Sequence, residues 1–215
     1  NVDDNTPCVG QTVSFTATYD QTRDAVWDFG DGAVPETGSG TPVSVYYTTS
    51  GQKTITVTAY GRITGAPYTD DLTITVNPLP STPAGITAAP AAICSGSSST
   101  ISVTPPGTGY TTDWFTGSCG GTALPGGTGQ NSVLVSPAVT TTYYARTRNT
   151  TTGCMSACAT VTVTVNALPS TPTGITAAPA AICSGSSSTI SVNNPGTGYT
   201  TDWLTGSCGG TALPG

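Results

Sequence analysis

A stretch of 48 residues occurs twice in this chain, and this internal repeat limits what the chain can fold into more than any other feature. Residues 79–126 return as residues 168–215 at a constant offset of 89 residues. Repetition at such a period is typical of tandem arrays of small modules. We therefore expect a segment of a longer array, with one full repeat and the first half of another. Only four of the 48 positions differ: Ala84/Thr173, Thr104/Asn193, Pro105/Asn194 and Phe115/Leu204.

Two similar junctions divide the chain. Residues 77–80 and 166–169 each follow a strand-like alternation of threonine and valine, and each contains proline, which stiffens a short linker. The sequence therefore predicts a first domain at residues 1–77, a complete repeat at 78–166 and the first half of a repeat at 167–215.

The composition is unusually poor in charge. Charged residues make up 7% of the chain, and threonine and serine, which favour strands and turns, take their place. The net charge of -6 comes entirely from residues 1–77, because the two aspartates and two arginines of residues 78–215 cancel. The sequence has no basic patch, so we expect no nucleic-acid partner. We expect an all-β protein, and no apolar run approaches the length of a membrane span.

Seven cysteines and no histidine indicate disulfides made in an oxidising compartment, so we expect an extracellular protein. No signal peptide opens the chain, and targeting segments are expected outside it or already removed. In the full repeat the cysteines are spaced by 25, 35 and 4 residues, whereas structural zinc sites usually bring two close pairs. This spacing favours disulfides over zinc.

In the first domain, short alternating segments predict strands at 12–19, 25–29, 43–47, 54–59 and 71–76. Residues 26–32 read Val-Trp-Asp-Phe-Gly-Asp-Gly, followed by Tyr46/Tyr47 and by Gly-x-x-Thr-Ile-Thr-Val at 51–57. This pattern resembles the PKD domain, an immunoglobulin-like β-sandwich of extracellular proteins that serves as a spacer or interaction module. The resemblance implies that Trp27 fills the core, and we expect Asp28 and Asp31 to bond to amides of the turn.

In the full repeat, alternation predicts strands at 100–103, 112–115, 132–136, 143–148 and 159–165. Trp114, its counterpart Trp203 in the second copy, and Tyr143 are the expected core aromatics. A tryptophan strand followed by a tyrosine-led strand and a closing strand matches an immunoglobulin-like sandwich. The predicted architecture is therefore a row of tandem immunoglobulin-like β-sandwiches.

The repeat carries five short motifs, at residues 93–96, 113–121, 141–146, 152–154 and 162–166. In these motifs it resembles the immunoglobulin-like repeats of very large Bacteroidota surface adhesins of gliding motility. That resemblance implies secretion by the type IX system, display as filaments on the cell surface, and contact with the outer-membrane secretion and gliding machinery. Neighbouring domains of the same chain would be its other partners.

The same resemblance implies a Cys94–Cys154 disulfide, which leaves Cys119–Cys158 as the second bond. Four cysteines allow three pairings, and the alternative of Cys94–Cys119 with Cys154–Cys158 stays open. That alternative would let Cys183 bond to Cys208 in the second copy. Cys8 has no partner within its own domain, and we expect it to be free or bonded outside this chain.

The sequence gives little support for a catalytic site or a sugar-binding site. The chain has no histidine and no nucleophile motif, and the repeat has no paired carboxylates, so we expect no enzyme. A sugar-binding site would depend on Tyr144 and one of Tyr46/Tyr47, because the tryptophans are expected to be buried in the cores.

Two functions remain: a structural stalk of an adhesin, or an accessory module of a secreted polysaccharide hydrolase. Calcium is the one cofactor left open, through eight aspartates of the first domain, Asp3, Asp4, Asp20, Asp24, Asp28, Asp31, Asp70 and Asp71.

Overall fold

The structure, a computed structural model, describes residues 1–18, 25–61 and 65–213, and the regular elements in these residues are all β-strands. Two compact units are present, Asn1–Val165 and Asn166–Gly215. The first unit contains two β-sandwiches, each built around its own hydrophobic cluster. The fold is therefore all-β and immunoglobulin-like in its sandwich architecture, as the sequence predicts.

The first sandwich has seven strands in the described residues. They are β1 (Thr12–Phe15), β2 (Val26–Asp28), β3 (Ala33–Val34), β4 (Thr37–Ser39), β5 (Val43–Tyr47), β6 (Gly51–Tyr60) and β7 (Pro67–Val76). One sheet has the order β1-β5-β3 and the other β4-β2-β6-β7, with antiparallel pairing in both. The β6–β7 pair keeps one register over ten residue pairs. It forms the edge from which the chain leaves this sandwich.

Three aromatic rings form the centre of the first core. Trp27 on β2 stacks on Phe29 with ring centroids 5.7 Å apart, and Phe15 on β1 lies 5.3 Å from Phe29. The Trp27 indole N–H donates to the Gly40 carbonyl at 2.8 Å, so burial leaves no unpaired donor on the ring. The tryptophan is 3% exposed and lies in the core, where the sequence places it.

The turn after β2 depends on glycine. Gly30 and Gly32 have φ values of 74° and 79°, in the left-handed region that side chains disfavour. The Asp28 carboxylate accepts from the Gly30 amide at 2.9 Å, as expected. At Asp31 the bond instead uses the main-chain carbonyl, which accepts from the Lys53 ammonium at 2.9 Å.

The second sandwich comprises β8 (Thr87–Ala89), β9 (Ala92–Cys94), β10 (Ser99–Ser102), β11 (Tyr110–Thr116), β12 (Thr122–Thr128), β13 (Ser132–Val135), β14 (Thr141–Asn149) and β15 (Met155–Asn166). A three-stranded sheet has the order β13-β10-β8, and a five-stranded sheet has the order β12-β11-β14-β15-β9. The end of β15 lies near β9, because the Thr164 amide donates to the Ala91 carbonyl at 2.9 Å.

Trp114 and Tyr143 lie in the core of the second sandwich, 1% and 4% exposed. The Trp114 indole N–H donates to the Gln130 carbonyl at 2.8 Å. Along β14 the side chains alternate as predicted, with Tyr143, Ala145 and Thr147 buried. The opposite face of this sheet carries the charged residues described below.

The unit at Asn166–Gly215 contains only short strands in its described residues: β16 (Thr176–Ala178), β17 (Thr189–Ser191), β18 (Leu204–Thr205) and β19 (Thr211–Ala212). Trp203 is half-buried rather than enclosed, so its prediction as a core residue was wrong for this unit. The reason is that residues 167–213 hold no counterpart of β13 to β15, which supply Val135, Tyr143 and Val163 around Trp114.

Candidate functional site

A disulfide joins the two sandwiches of the first unit. Cys8, ahead of β1, bonds to Cys154, in the loop between β14 and β15, with a Cα–Cα distance of 5.6 Å and a sequence separation of 146. This distance lies in the usual range for a disulfide. The bond fastens one module to the next, and it is the feature of the structure with the clearest consequence for function.

Backbone hydrogen bonds hold Cys8 close to the exit of its own sandwich. The Val9 amide donates to the Asn77 carbonyl at 3.0 Å, and the Asn77 amide donates to the Pro7 carbonyl at 2.7 Å. A tight turn follows, in which the Gln11 amide donates to the Cys8 carbonyl. Cys8 is therefore placed where the last strand of the first sandwich enters the linker to the repeat.

A compact loop presents Cys154 to the first sandwich. The Asn149 side-chain oxygen accepts from the amides of Thr151 and Thr152, at 2.9 and 3.0 Å. The Asn149 amide donates to the Cys154 carbonyl at 2.9 Å, and Gly153 takes a φ of 75° that closes the turn. Cys154 is 1% exposed. The loop is thus ordered by its own sequence, Asn-Thr-Thr-Thr-Gly-Cys.

The expected bond between Cys94 and Cys154 is not formed, because the two residues lie near opposite ends of β15. Cys154 directly precedes this strand, whereas Cys94 ends β9, whose neighbouring Ala91 carbonyl accepts from Thr164. At about 3.3 Å per residue, the two ends of this 12-residue strand lie roughly 36 Å apart. A disulfide needs Cα atoms within about 7 Å. Cys94 is accordingly a free, exposed thiol.

The second expected bond is present. Cys119, in the turn between β11 and β12, bonds to Cys158 on β15 with a Cα–Cα distance of 5.7 Å. This bond links the β11–β12 turn to strand β15 within one module. The alternative pairing of Cys94 with Cys119 and of Cys154 with Cys158 is not found either. In the second copy, Cys183 and Cys208 are both free and exposed.

The expectation that Cys8 is free or bonded outside this chain was wrong, because Cys8 bonds to Cys154. Cys8 is the single cysteine of residues 1–77, so pairing within one domain leaves it without a partner. The signal that identifies it is a shared Cys-x-Gly triplet at residues 8–10 and 94–96.

A charged cluster lies on the outer face of the five-stranded sheet. Arg148 on β14 donates to both carboxylate oxygens of Asp113 on β11, at 2.7 and 3.2 Å. Directly opposite Asp113, Arg146 places its guanidinium over the Phe115 ring, 4.5 Å from the centroid. Burial raises the pKa of the Asp113 carboxyl, but hydrogen bonds from Arg148 and the Gly129 amide and the charges of both arginines outweigh this and hold that pKa below its ordinary value. The cluster fastens β11 to β14.

Replacing Asp113 by asparagine should lower the free energy of unfolding of the first unit by about 1–2 kcal/mol at pH 7, since the pair with Arg148 is charge-assisted but partly solvated. The folded pKa of Asp113 lies below the unfolded value, so its stabilisation is present above pH 3.8 and is lost as the pH falls through the lowered pKa. Urea titrations between pH 2 and 7 should therefore show the variant and the parent converging in acid.

Asp202→Asn is the matched control for this change. Asp202 is the counterpart of Asp113 at the same 89-residue offset, but residues 167–213 hold no arginine. Its substitution should alter stability by less than about 0.5 kcal/mol. A gap between Asp113→Asn and the parent that persists unchanged at pH 2 would contradict the assigned ion pair.

The aspartates considered for calcium act mainly as local hydrogen-bond acceptors. Asp3 accepts from the Ser14 amide, Asp4 from the Thr6 amide, and Asp71 from the Thr56 hydroxyl, at 2.7 to 2.9 Å. In the described residues no group of three potential ligands is arranged to hold a metal ion. Two of the aspartates named above, Asp20 and Asp24, lie outside the described residues.

The aromatic residues considered for sugar binding do not form a platform. Tyr47 is 1% exposed, with its hydroxyl donating to the Phe29 carbonyl at 3.1 Å, and burial raises its pKa to about 12. Tyr46 is 40% exposed, and Tyr144 is half-buried on the other sandwich. A groove of about 370 Å³ in the first sandwich is lined by residues that include Trp27, Tyr68 and residues 16–18. Tyr46 and Tyr144 lie on different modules, so they do not form one binding surface within a module.

Comparison with known proteins agrees with the fold of the repeat. Residues 80–167 match the family model of the Ig-like domain, CHU_C associated. No curated protein matches the chain significantly. Among the described residues, no helix is long and apolar enough to cross a membrane. An immunoglobulin-like sandwich is typically a non-catalytic module, and its disulfides are consistent with an extracellular or cell-surface location.

The solved structures that match this chain are remote. Murine CEACAM1b is 10% identical, covering 78% of this chain and 98% of its own, with a TM-score of 0.32. A carbohydrate-binding module of the β-sandwich superfamily is 17% identical, covering 68% and 54%, with a TM-score of 0.33. The FN1–FN3 domains of chicken CNTN1 are 12% identical, covering 99% and 81%, with a TM-score of 0.32. Similarity this distant supports no inference about ligands.

Proposed function

We propose that this chain is a shaft segment of a long filamentous cell-surface adhesin. The observation that carries the proposal is the Cys8–Cys154 bond, which fastens two successive sandwiches to each other. A flexible linker alone would let neighbouring modules separate under tension. A covalent bond at the junction keeps them attached at a second point, which suits a part whose task is to transmit force.

The surface of the repeat supports the same role. The complete repeat at 78–166 holds one aspartate and two arginines, a net charge of only +1, and its exposed strand positions are rich in threonine, so a long row of repeats stays hydrated with little self-repulsion. The near-identity of the two copies also favours a repeated structural unit over a specific binding site. A site for one ligand is needed once, whereas a shaft needs many equal units.

The finer assignment rests on sequence resemblance. The repeat motifs are most similar to those of the gliding-motility adhesin SprB, and the first sandwich resembles a PKD domain. By this reasoning the protein is exported by the type IX system, is held by the outer-membrane secretion and gliding machinery, and meets surface polysaccharide through parts other than these modules. Attachment and gliding are the processes it serves.

The second candidate is an accessory module of a secreted polysaccharide hydrolase. The exposed Tyr46 and the groove beside Trp27 and Tyr68 are the features that favour it. A binding module of this kind should bind a glycan without help from other domains. The chain at residues 1–215 can be tested directly for this by calorimetry with plant and microbial polysaccharides.

A module exchange separates the two functions. In the cell that displays the protein, residues 78–166 are replaced by an unrelated immunoglobulin-like sandwich of equal length that keeps a cysteine positioned to bond to Cys8. For a shaft, we expect the exchange to retain attachment and gliding, whereas serial deletion of repeats reduces both as the filament shortens. Loss of attachment on exchange, with the filament still displayed at full length, would contradict the shaft function and support a binding module.

A further inference from the structure

Three cysteines of this chain occupy the same turn in successive modules. In each, a cysteine is followed two residues later by a glycine with φ between 80° and 88°. The amide three residues after the cysteine donates to the cysteine carbonyl at 3.0 Å in all three turns. The turns are Cys8-Val9-Gly10, Cys94-Ser95-Gly96 and Cys183-Ser184-Gly185.

The first two of these cysteines also lie at the same place in their sandwiches. Cys8 forms a parallel bridge with Asn77, the residue that follows the last strand of the first sandwich. Cys94 ends β9, which lies beside β15, the last strand of the second sandwich. Asn77 and Asn166 are themselves counterparts at the 89-residue offset. Each cysteine therefore marks the exit of its own module.

Only the first of these exit cysteines has its partner within residues 1–213. Cys8 reaches forward to the Thr-Gly-Cys loop of the following module, at Cys154. In a complete next repeat, the corresponding loop would fall 89 residues after Cys154, outside residues 1–215. Cys94 is exposed and free, and it lies near the far end of β15 from its own module's Cys154.

We infer that the bond between modules repeats along the array: the exit cysteine of each module bonds to the Thr-Gly-Cys cysteine of the module that follows it. Cys94 then bonds to the counterpart of Cys154 in the repeat that begins at Leu168. Cys183 bonds to the counterpart of Cys154 in the repeat after that. Cys119–Cys158 and its counterparts remain inside their modules. This inference deepens the proposed shaft function and rests on it only for the presence of a complete next repeat.

The bond forms by ordinary thiol–disulfide exchange. The two thiols lose two protons and two electrons as their sulfurs join, and a disulfide-bonded oxidant, such as an oxidised dithiol catalyst or a small-molecule disulfide, is reduced to two thiols. One partner, the Cys94 thiol, is exposed to solvent, where such an oxidant can reach it.

Interlocked bonds of this kind shorten the covalent path through an unfolded module. From Cys154 the path runs four residues to Cys158, crosses to Cys119, and runs 25 residues to Cys94 before it crosses to the next module. At about 3.5 Å per residue, one module would extend to roughly 100 Å instead of the roughly 310 Å of its 89 residues. Every junction of the shaft would be limited in the same way.

Disulfide mapping of a completed chain tests the inference. The full chain is extended after Gly215 by a copy of residues 127–166, in which the counterpart of Met155 is changed to leucine so that the peptides differ in mass. After folding in a glutathione redox buffer and blocking of free thiols, we expect a peptide that joins Cys94 to the copied Cys154. The Cys8–Cys154 bond should be present beside it, and Cys183 should be alkylated.

The bond between Cys208 and the copied Cys158 reports in the same map that the second repeat has folded. If that bond is present while Cys94 is alkylated or bonded within its own module, the inference is wrong. A second extended chain, residues 1–166 followed by residues 78–166, keeps the test decisive if the first one fails to fold, and the same two results decide it. Replacing the copied Cys154 by serine is the control, which should leave Cys94 alkylated. The map depends on no surface activity, so its failure is distinct from a failure of the module exchange.

Discussion

Pulling the oxidised chain between residues 1 and 166 should extend only the short ends that flank the Cys8–Cys154 bond. The segment between these cysteines spans 146 positions and is bypassed by the covalent bond. At 3.3–3.6 Å per residue, reduction should release about 500 Å of additional length. Single-molecule force spectroscopy with and without reductant measures this difference directly.

Two variants make the pulling experiment specific. Cys8→Ser removes the bond between the sandwiches but leaves Cys119–Cys158, which still hides 39 positions, so we expect about 370 Å of release without reductant and about 140 Å more with it. Cys94→Ser should behave like the parent chain, because Cys94 is free. A parent chain that extends fully while oxidised would show that the two sandwiches are not joined and would remove the main support for the shaft.

The strands with strong alternation could be predicted from sequence. Val43–Tyr47 and the β14 strand that begins at Thr141 were identified because apolar side chains recur at every second residue. The strands β3, β4, β8, β9 and β12 were not predicted. β3 and β4 have only two and three residues, and β12 contains Pro125 and two glycines, which normally argue against a strand. Their pairing with neighbouring strands decides their conformation.

The disulfides show a different limit of sequence reasoning. Seven cysteines without any histidine predict the kind of bond, but pairing depends on which ends of the sandwich meet. Cys94 and Cys154 are 60 residues apart in sequence and near opposite ends of one strand in space, whereas Cys8 and Cys154 are 146 apart and in contact. Only the arrangement of two modules reveals this pairing, because the bond belongs to the junction.

The repeat offers an internal comparison for the energetic value of a buried tryptophan. Trp114→Ala should lower the free energy of unfolding of the first unit by about 3–5 kcal/mol, because it removes a 1%-exposed ring and leaves a cavity among Ile101, Tyr143 and Val163. It also leaves the Gln130 carbonyl without its indole donor. Urea unfolding with the disulfides intact, followed by circular dichroism, gives this free energy.

Trp203→Ala makes the same chemical change where the enclosing strands are absent from the described residues. Because Trp203 is half-buried and Ile190 beside it is 42% exposed, we expect a loss below about 1 kcal/mol. The contrast between the two variants isolates the contribution of β13 to β15, since the flanking sequences are nearly identical. Equal losses would mean that the second copy already encloses its tryptophan. In a chain extended to a complete second repeat, the loss caused by Trp203→Ala should rise towards that of Trp114→Ala, because the new strands would then bury the ring.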